Sequence, residues 1–246
     1  MKTNIEYLSP RLIKVRNFVD SKRVADIGCD HGKLVEDLFR NGIIDYAFVS
    51  DISKPSVNKA VELLTKNNRN FDYAVGDGLE KIEESHNIEQ VIISGMGGLE
   101  IIKILENNHL NISKFVLQPQ NNELRLKMWL LENNFEILND LIVKDKHIYY
   151  NVIKVQTANR VKKQKLFDLK FGKDNFNGNS DFYKYLIFLK SQFEKRLFTM
   201  PRKKQKEVKK ELKLVEKAVK KWEKINENNF TISKTRYGIE KNSTLN

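Results

Sequence analysis

The sequence predicts an α/β domain with a mainly parallel sheet, followed by a basic antiparallel helical hairpin. Three observations predict it. Short apolar runs alternate with helical patterns through residue 131. Two longer strand-like runs then follow with only a polar turn between them. After residue 157 the period changes to heptad-like spacing and the charge changes with it.

The elements follow in order. Ser9-Pro10 opens a helix carrying Leu12, Val15, Phe18 and Val19, with Ser9 as N-cap and Pro10 at the first helical position. Val24–Ile27 is a first strand ending at Gly28, and His31–Arg40 a helix stopping at Asn41-Gly42. Strands at 46–49, 71–75, 91–93 and 115–117 alternate with helices at 54–66, 79–84, 99–106 and 123–131. Runs at 136–143 and 148–155, joined by Lys144-Asp145-Lys146-His147, form an antiparallel hairpin. Apolar strands flanked by helices imply a sheet covered on both faces. Residues 157–180 are polar and read as a linker or loose excursion. Then Phe182, Leu186, Leu189, Phe193 and Leu197 form one seam, and Val208, Leu212, Val215, Val219 and Trp222 form another beyond Pro201. Each arm of about 20 residues would be about 30 Å long.

Charge divides the chain at the same place. The 246 residues carry +12, but residues 1–157 hold 20 Lys+Arg against 22 Asp+Glu, and residues 158–246 hold 24 against 10. Codon bias can explain why Lys outnumbers Arg 34 to 10, but it does not explain segregation. A near-neutral working domain at 1–157 and a basic arm at 158–246 with a polyanionic partner are expected. One cysteine, Cys29, excludes an intramolecular disulfide framework, and the four histidines lack metal-ligand spacing, so no metal is expected. There is no apolar run of signal or membrane-span length, so a cytoplasmic protein without a membrane partner is expected.

The unusual residues collect where strands end, which is where open α/β sheets bind ligands. These are Asp26-Ile27-Gly28-Cys29-Asp30-His31-Gly32, then Asp51, then Asp77-Gly78, then Gly95-Met96-Gly97-Gly98. A dinucleotide site would want G-x-G-x-x-G, but Asp30 stands where a phosphate loop needs glycine. Carboxylates there repel phosphate and suit ammonium, sulfonium and sugar hydroxyls, which S-adenosylmethionine combines. Asp51 lies 25 residues beyond Asp26, where a ribose-binding acid is expected.

On these stretches, with Leu117-Gln118-Pro119 and Arg125…Trp129-Leu130, residues 5–156 resemble the bacterial tRNA (adenine-N1)-methyltransferases that act on position 22. The resemblance implies a Rossmann-like class I methyltransferase sheet of seven strands in the order 3-2-1-4-5-7-6 with an antiparallel last strand. It also implies a coiled-coil-like C-terminal hairpin and S-adenosylmethionine as cofactor. The amine-holding Asn/Asp-Pro-Pro-aromatic segment of amino-group adenine methyltransferases is replaced here by Ser94-Gly95-Met96-Gly97. This suits a ring nitrogen, whose lone pair attacks without losing a proton.

The candidate catalytic residues are Asp26, Asp30 and His31. The candidate cofactor residues are Asp26, Gly28, Cys29, Asp30, Asp51, Ile52, Asp77, Gly78, Gly95 and Met96. Gly97, Gly98, Gln118, Pro119, Lys203, Lys204 and Lys210 are candidates for the substrate, tRNA. A monomer is expected. A non-catalytic RNA-binding module on a relic methyltransferase fold and a nicotinamide-dependent enzyme are the alternatives.

Overall fold

The computed structural model describes residues 8–236, with side chains through Glu227. The outer limits expected for the domains and for the resemblance, at residues 1, 5 and 246, lie outside them. The chain divides into two compact units at Lys170/Phe171, where the sequence places the boundary at 157/158.

The first unit opens with α1 (Pro10–Arg16), capped by Ser9, whose Oγ accepts from the Leu12 N–H. Then follow β1 (Arg23–Ile27), α2 (Lys33–Arg40), β2 (Tyr46–Asp51), α3 (Lys54–Lys66), β3 (Phe71–Val75), β4 (Gln90–Met96), α4 (Gly98–Glu106), β5 (Lys114–Pro119), α5 (Glu123–Glu132), β6 (Phe135–Asp145) and β7 (Ile148–Thr157). The strands form one seven-stranded sheet in the order β3-β2-β1-β4-β5-β7-β6. β1 to β5 are parallel, and β7 runs antiparallel between β5 and β6. Both the expected order and the antiparallel strand are observed.

Side chains alternate between two cores, as the period of two along a strand requires. Ala25, Phe48, Val91, Ile93, Phe115 and Leu117 point to one face, with Ile101 of α4 and Leu126 of α5. Val24, Ala47, Val49, Ile92 and Val116 point to the other, with Val15, Val35 and Leu64 of α1, α2 and α3. The strand order reverses around β1, between β2 and β4, so the ligand crevice belongs at the carboxyl ends of those strands.

Three local expectations are corrected. The helix expected from His31 begins at Lys33, because Gly32 is a left-handed N-cap at φ 68°. No helix covers 79–84. Single turns place Leu79 and Ile82 in the core, and a short 3-10 turn at Glu84–His86 closes where His86 Nδ1 accepts the Glu83 N–H. Side-chain bonds to the backbone compete there with helix propagation. Finally, 157–180 is not loose throughout. It holds α6 (Leu166–Phe171) and a 3-10 turn at Lys173–Phe176, and it buries Leu169, Phe171 and Phe176.

The first unit also hides an ion pair. Lys127 of α5 is fully buried, its Nζ lying 2.6 Å from Asp140 Oδ2 and donating to the Leu169 carbonyl at 3.3 Å. Asn151 Nδ2 donates to Asp140 Oδ1 at 2.6 Å.

The second unit is the helical hairpin of α7 (Ser180–Thr199) and α8 (Gln205–Arg236) around Pro201. Of the first seam Phe182 and Leu186 are buried, and of the second Val208, Val215 and Trp222. Phe176 packs edge-on to Phe182 with ring centres 5.1 Å apart, and Tyr183 stacks on Trp222 at 4.5 Å. α8 runs beyond Trp222, where the expected seam ends, and the next buried position is polar. Asn226 is buried, and its amide donates to the Phe176 and Trp222 carbonyls.

Candidate active site

At the end of β1 the chain must turn sharply over β2. Gly28 does this at φ 76°, and the Gly28 and Cys29 N–H groups both donate to the Ser50 carbonyl, at 2.8 and 3.0 Å. A Cβ on Gly28 would meet the flexible end of Met96, so the ends of β1 and β4 lie in contact there, and it is the left-handed φ that calls for glycine.

Asp26 is the central feature. Its residue is 3% exposed, and among the described residues no hydrogen bond reaches its carboxyl. Burial, then the charge of Asp51, then that of Asp30, push it from an ordinary 3.8 up to about 7. A buried carboxyl without a partner is costly unless something supplies a donor or a positive charge. Asp51 is held differently. Its Oδ1 accepts from the Ser53 N–H at 2.8 Å and its Oδ2 from the Asp30 N–H at 3.3 Å. Asp30 stands at a left-handed φ of 48° with an exposed side chain, its Oδ1 3.4 Å from His31 Nε2. His31 Nε2 is also 3.0 Å from Lys59 Nζ. Cys29 is buried and its thiol is pushed up by burial and by Asp26, so it stays protonated and unreactive. Ile52, just past Asp51, is 72% exposed, an apolar surface beside polar groups.

β4 continues through Ser94, Gly95 and Met96, where the sequence expects it to end at Ile93. It does so with an irregularity in its pairing to β5 at Gly95, which takes φ 86°. Bulges of this kind re-aim a strand beside a site. The Gly95 carbonyl accepts from Gln120 Nε2 at 2.6 Å. Gly97 caps α4 and Gly98 begins it, and a Cβ on Gly98 would lie 2.7 Å from the Asn121 carbonyl oxygen.

Gln118 and Pro119 are buried at the end of β5. Gln118 Oε1 accepts from Arg11 and from the Ser94 hydroxyl, and its Nε2 donates to the Pro119 carbonyl. Arg11 Nη1 also donates to Ser94 Oγ at 3.2 Å, and the guanidinium lies 5.4 Å from the centre of the Tyr150 ring. Asp77 and Gly78 follow Gly76, whose N–H donates to the Asp51 carbonyl at 3.1 Å, and line a hollow of about 390 Å³ with Lys103, Ile104, Asn107 and His109. Lys203, Lys204 and Lys210 are exposed in the second unit, and Lys210 pairs with Glu207 at 2.9 Å.

The structure thus brings Asp26, Gly28, Asp30, Asp51 and Met96 to one strand-end crevice. Arg11 and Ser50, beside that crevice, are not legible in the sequence as site residues. Ser50 Oγ is buried and bonded to nothing among the described residues, and a serine in a run of β-residues carries no signal for that. Arg11 follows the Ser-Pro helix start and reads as an ordinary first-turn cation. No group of acids, histidines and cysteines among the described residues is arranged to hold a metal.

Comparison with known proteins follows the same lines. A methyltransferase domain family model matches residues 8–153. A Mycoplasma genitalium protein named putative tRNA methyltransferase MG248 is 33% identical over 153 residues, 61% of this chain and 70% of its own. The Bacillus subtilis tRNA (adenine(22)-N(1))-methyltransferase is 28% identical over 159 residues, 62% of this chain and 66% of its own. Among solved structures, M. capricolum TrmK in complex with S-adenosyl-homocysteine superposes with a TM-score of 0.78 at 26% identity, covering 87% of this chain and 98% of that one. Streptococcus pneumoniae Sp1610 in complex with S-adenosyl-L-methionine shares the fold, with a TM-score of 0.77 at 24% identity over 87% and 100%.

Proposed function

This chain belongs to the methyltransferase domain family and, within it, to the tRNA (adenine(22)-N(1))-methyltransferases, and from that premise we propose that it transfers the methyl group of S-adenosylmethionine to N1 of an adenine in tRNA. The observation that carries the site assignment is Asp26, a buried carboxyl without a partner beside Asp30 and Asp51. Such a cluster fits a ligand bearing positive charge and hydroxyls, and it repels the diphosphate of a nicotinamide cofactor.

When bound, S-adenosylmethionine supplies an electrophilic methyl group on a sulfonium. Asp26 and Asp30 provide the negative field for that cationic ligand. Asp51, oriented by two backbone N–H groups, accepts from ribose hydroxyls. Gly28 and Cys29 let the backbone approach closely, Ile52 offers an apolar face, and Asp77 with Gly78 borders the cofactor base. Gly95 and Met96 wall the crevice, and Gly97 and Gly98 shape the entrance for the target base. Gln118 is too buried to meet substrate directly and acts by fixing Arg11 and Ser94. Adenine N1 carries an in-plane lone pair, so the protein's task is alignment and desolvation rather than proton removal. Asp30 offers a carboxylate to a ring that becomes cationic, and His31 Nε2, 3.4 Å from its Oδ1, orients that carboxylate. N1 lies on the Watson–Crick edge, so the target base is presented unpaired.

Of the expected catalytic domain at 1–157 and tRNA-gripping arm at 158–246, residues 158–170 group with the first unit, so the arm belonging to this reading is 171–246. Lys203, Lys204 and Lys210 are exposed cations for phosphate in that arm. No described helix is long and apolar enough to cross a membrane. A cytoplasmic monomer without a metal completes the reading. Methyl incorporation into an unmodified tRNA transcript, with the product nucleoside mapped, tests it. N1-methyladenine is expected. N6-methyladenine, or no product from a protein that binds S-adenosylmethionine, would overturn it.

A further inference from the structure

Beside α1, a cavity of about 440 Å³ is lined by Arg11, Lys33, Asp145, Lys146, Ile148 and Tyr150, among others. We propose that it is a second nucleotide subsite, taking the tRNA nucleotide adjacent to the methylated adenosine, with phosphate on the cations and base on Tyr150. The inference rests on the tRNA reading above and deepens it.

Four observations carry it. Arg11 and Lys146 outnumber the one carboxylate of the named wall, Asp145, which suits an anionic ligand. Tyr150 and Ile148 supply flat and apolar surface, and Ile148 is 56% exposed, the pairing on which bases stack. The volume falls in the range of small-molecule sites. Finally, Arg11 joins this cavity to the crevice, since its Nη1 is fixed on Ser94 of β4 and on Gln118 of β5 while its guanidinium faces Tyr150.

Chemistry assigns the two positions. Methylation at N1 makes the target ring cationic, so a fixed guanidinium is a poor partner for that base. It is a good partner for the phosphate beside it. Arg11 therefore marks the boundary between target and neighbour, and acts as a positioning residue.

The test uses the full chain, an unmodified tRNA transcript and three variants. These are Tyr150→Ala, Tyr150→Phe and Lys146→Asn, asparagine because position 146 takes a left-handed φ of 54°. Direct tRNA affinity is measured across a salt series, and S-adenosylmethionine affinity by calorimetry. Tyr150→Ala should weaken tRNA about tenfold while Tyr150→Phe stays within about twofold of the parent. Lys146→Asn should weaken tRNA about threefold and reduce the salt slope by about one. Cofactor affinity should not change in any of them. Parental tRNA affinity and salt slope in both Tyr150→Ala and Lys146→Asn would overturn the subsite. Should Tyr150→Ala lose cofactor affinity through misfolding, the Lys146→Asn slope decides alone. A parent protein that binds tRNA but forms no N1-methyladenine would sink the functional reading, and these binding measurements would still judge the cavity.

Discussion

Asp26 trades stability for binding. Its carboxyl is raised from 3.8 to about 7, so between those values the folded chain keeps a proton that the unfolded chain has lost. Stability therefore falls as pH rises from about 4 to about 7, and the full cost, on the order of 4 kcal/mol, stands above pH 7. Replacing Asp26 with Asn should raise the ligand-free denaturation midpoint at pH 8 and weaken S-adenosylmethionine at least tenfold. A variant no more stable than the parent would show that the charge costs nothing. A cationic ligand favours the ionised form, so binding near pH 6 should release a proton, and affinity should rise with pH and level off above about 7. Calorimetry in two buffers of different ionisation heat reads that proton directly. The acids at strand ends were legible in the sequence because carboxylates interrupting apolar runs stand out. The isolation of Asp26 was not, since it depends on what the fold fails to bring near it.

At the scale of elements, the buried Lys127–Asp140 pair ties α5 to the β6–β7 hairpin and to the α6 segment. Lys127→Met should cost about 3–5 kcal/mol in denaturant unfolding, because Asp140 is left buried without its cation. Lys127→Met with Asp140→Leu should recover part of that loss. If the single variant unfolds like the parent, the pair is not structural. Strands and their pairing were readable because apolar period and turn chemistry agree along β1 to β7. Lys127 defeats such reading, since a lysine on α5 reads as solvated until its tertiary partners are known. Asn226 hid the length of α8 for the same reason: a buried amide bonded to carbonyls leaves no apolar mark in a heptad.

For the whole molecule, the partition of charge yields a prediction about grip. The structure alters where to cut, because Leu169 accepts from buried Lys127 and so belongs with the first unit. Deleting 171–246, rather than 158–246, should leave S-adenosylmethionine affinity within about threefold and reduce tRNA affinity about 100-fold or more. Affinity of the full chain should fall steeply with salt. Undiminished tRNA binding by the truncated protein would refute the arm as clamp. The sheet order and the hairpin were both accessible from pattern, since each is set by many residues acting together. The Arg11–Ser94–Gln118 bridge was not, because it joins residues 83 and 107 positions apart through three side chains.

The two tryptophans fall one to each unit. Trp129 stacks on Phe135 with ring centres 5.9 Å apart, and Trp222 stacks on Tyr183. Each unit thus carries its own intrinsic fluorophore. Trp222→Phe leaves emission that follows the melting of the catalytic unit, and Trp129→Phe leaves emission that follows the hairpin, without any attached dye. Coincident transitions would mean that the two units unfold as one cooperative body. Separate transitions would measure how far the hairpin can open while the methyl-transfer crevice stays intact.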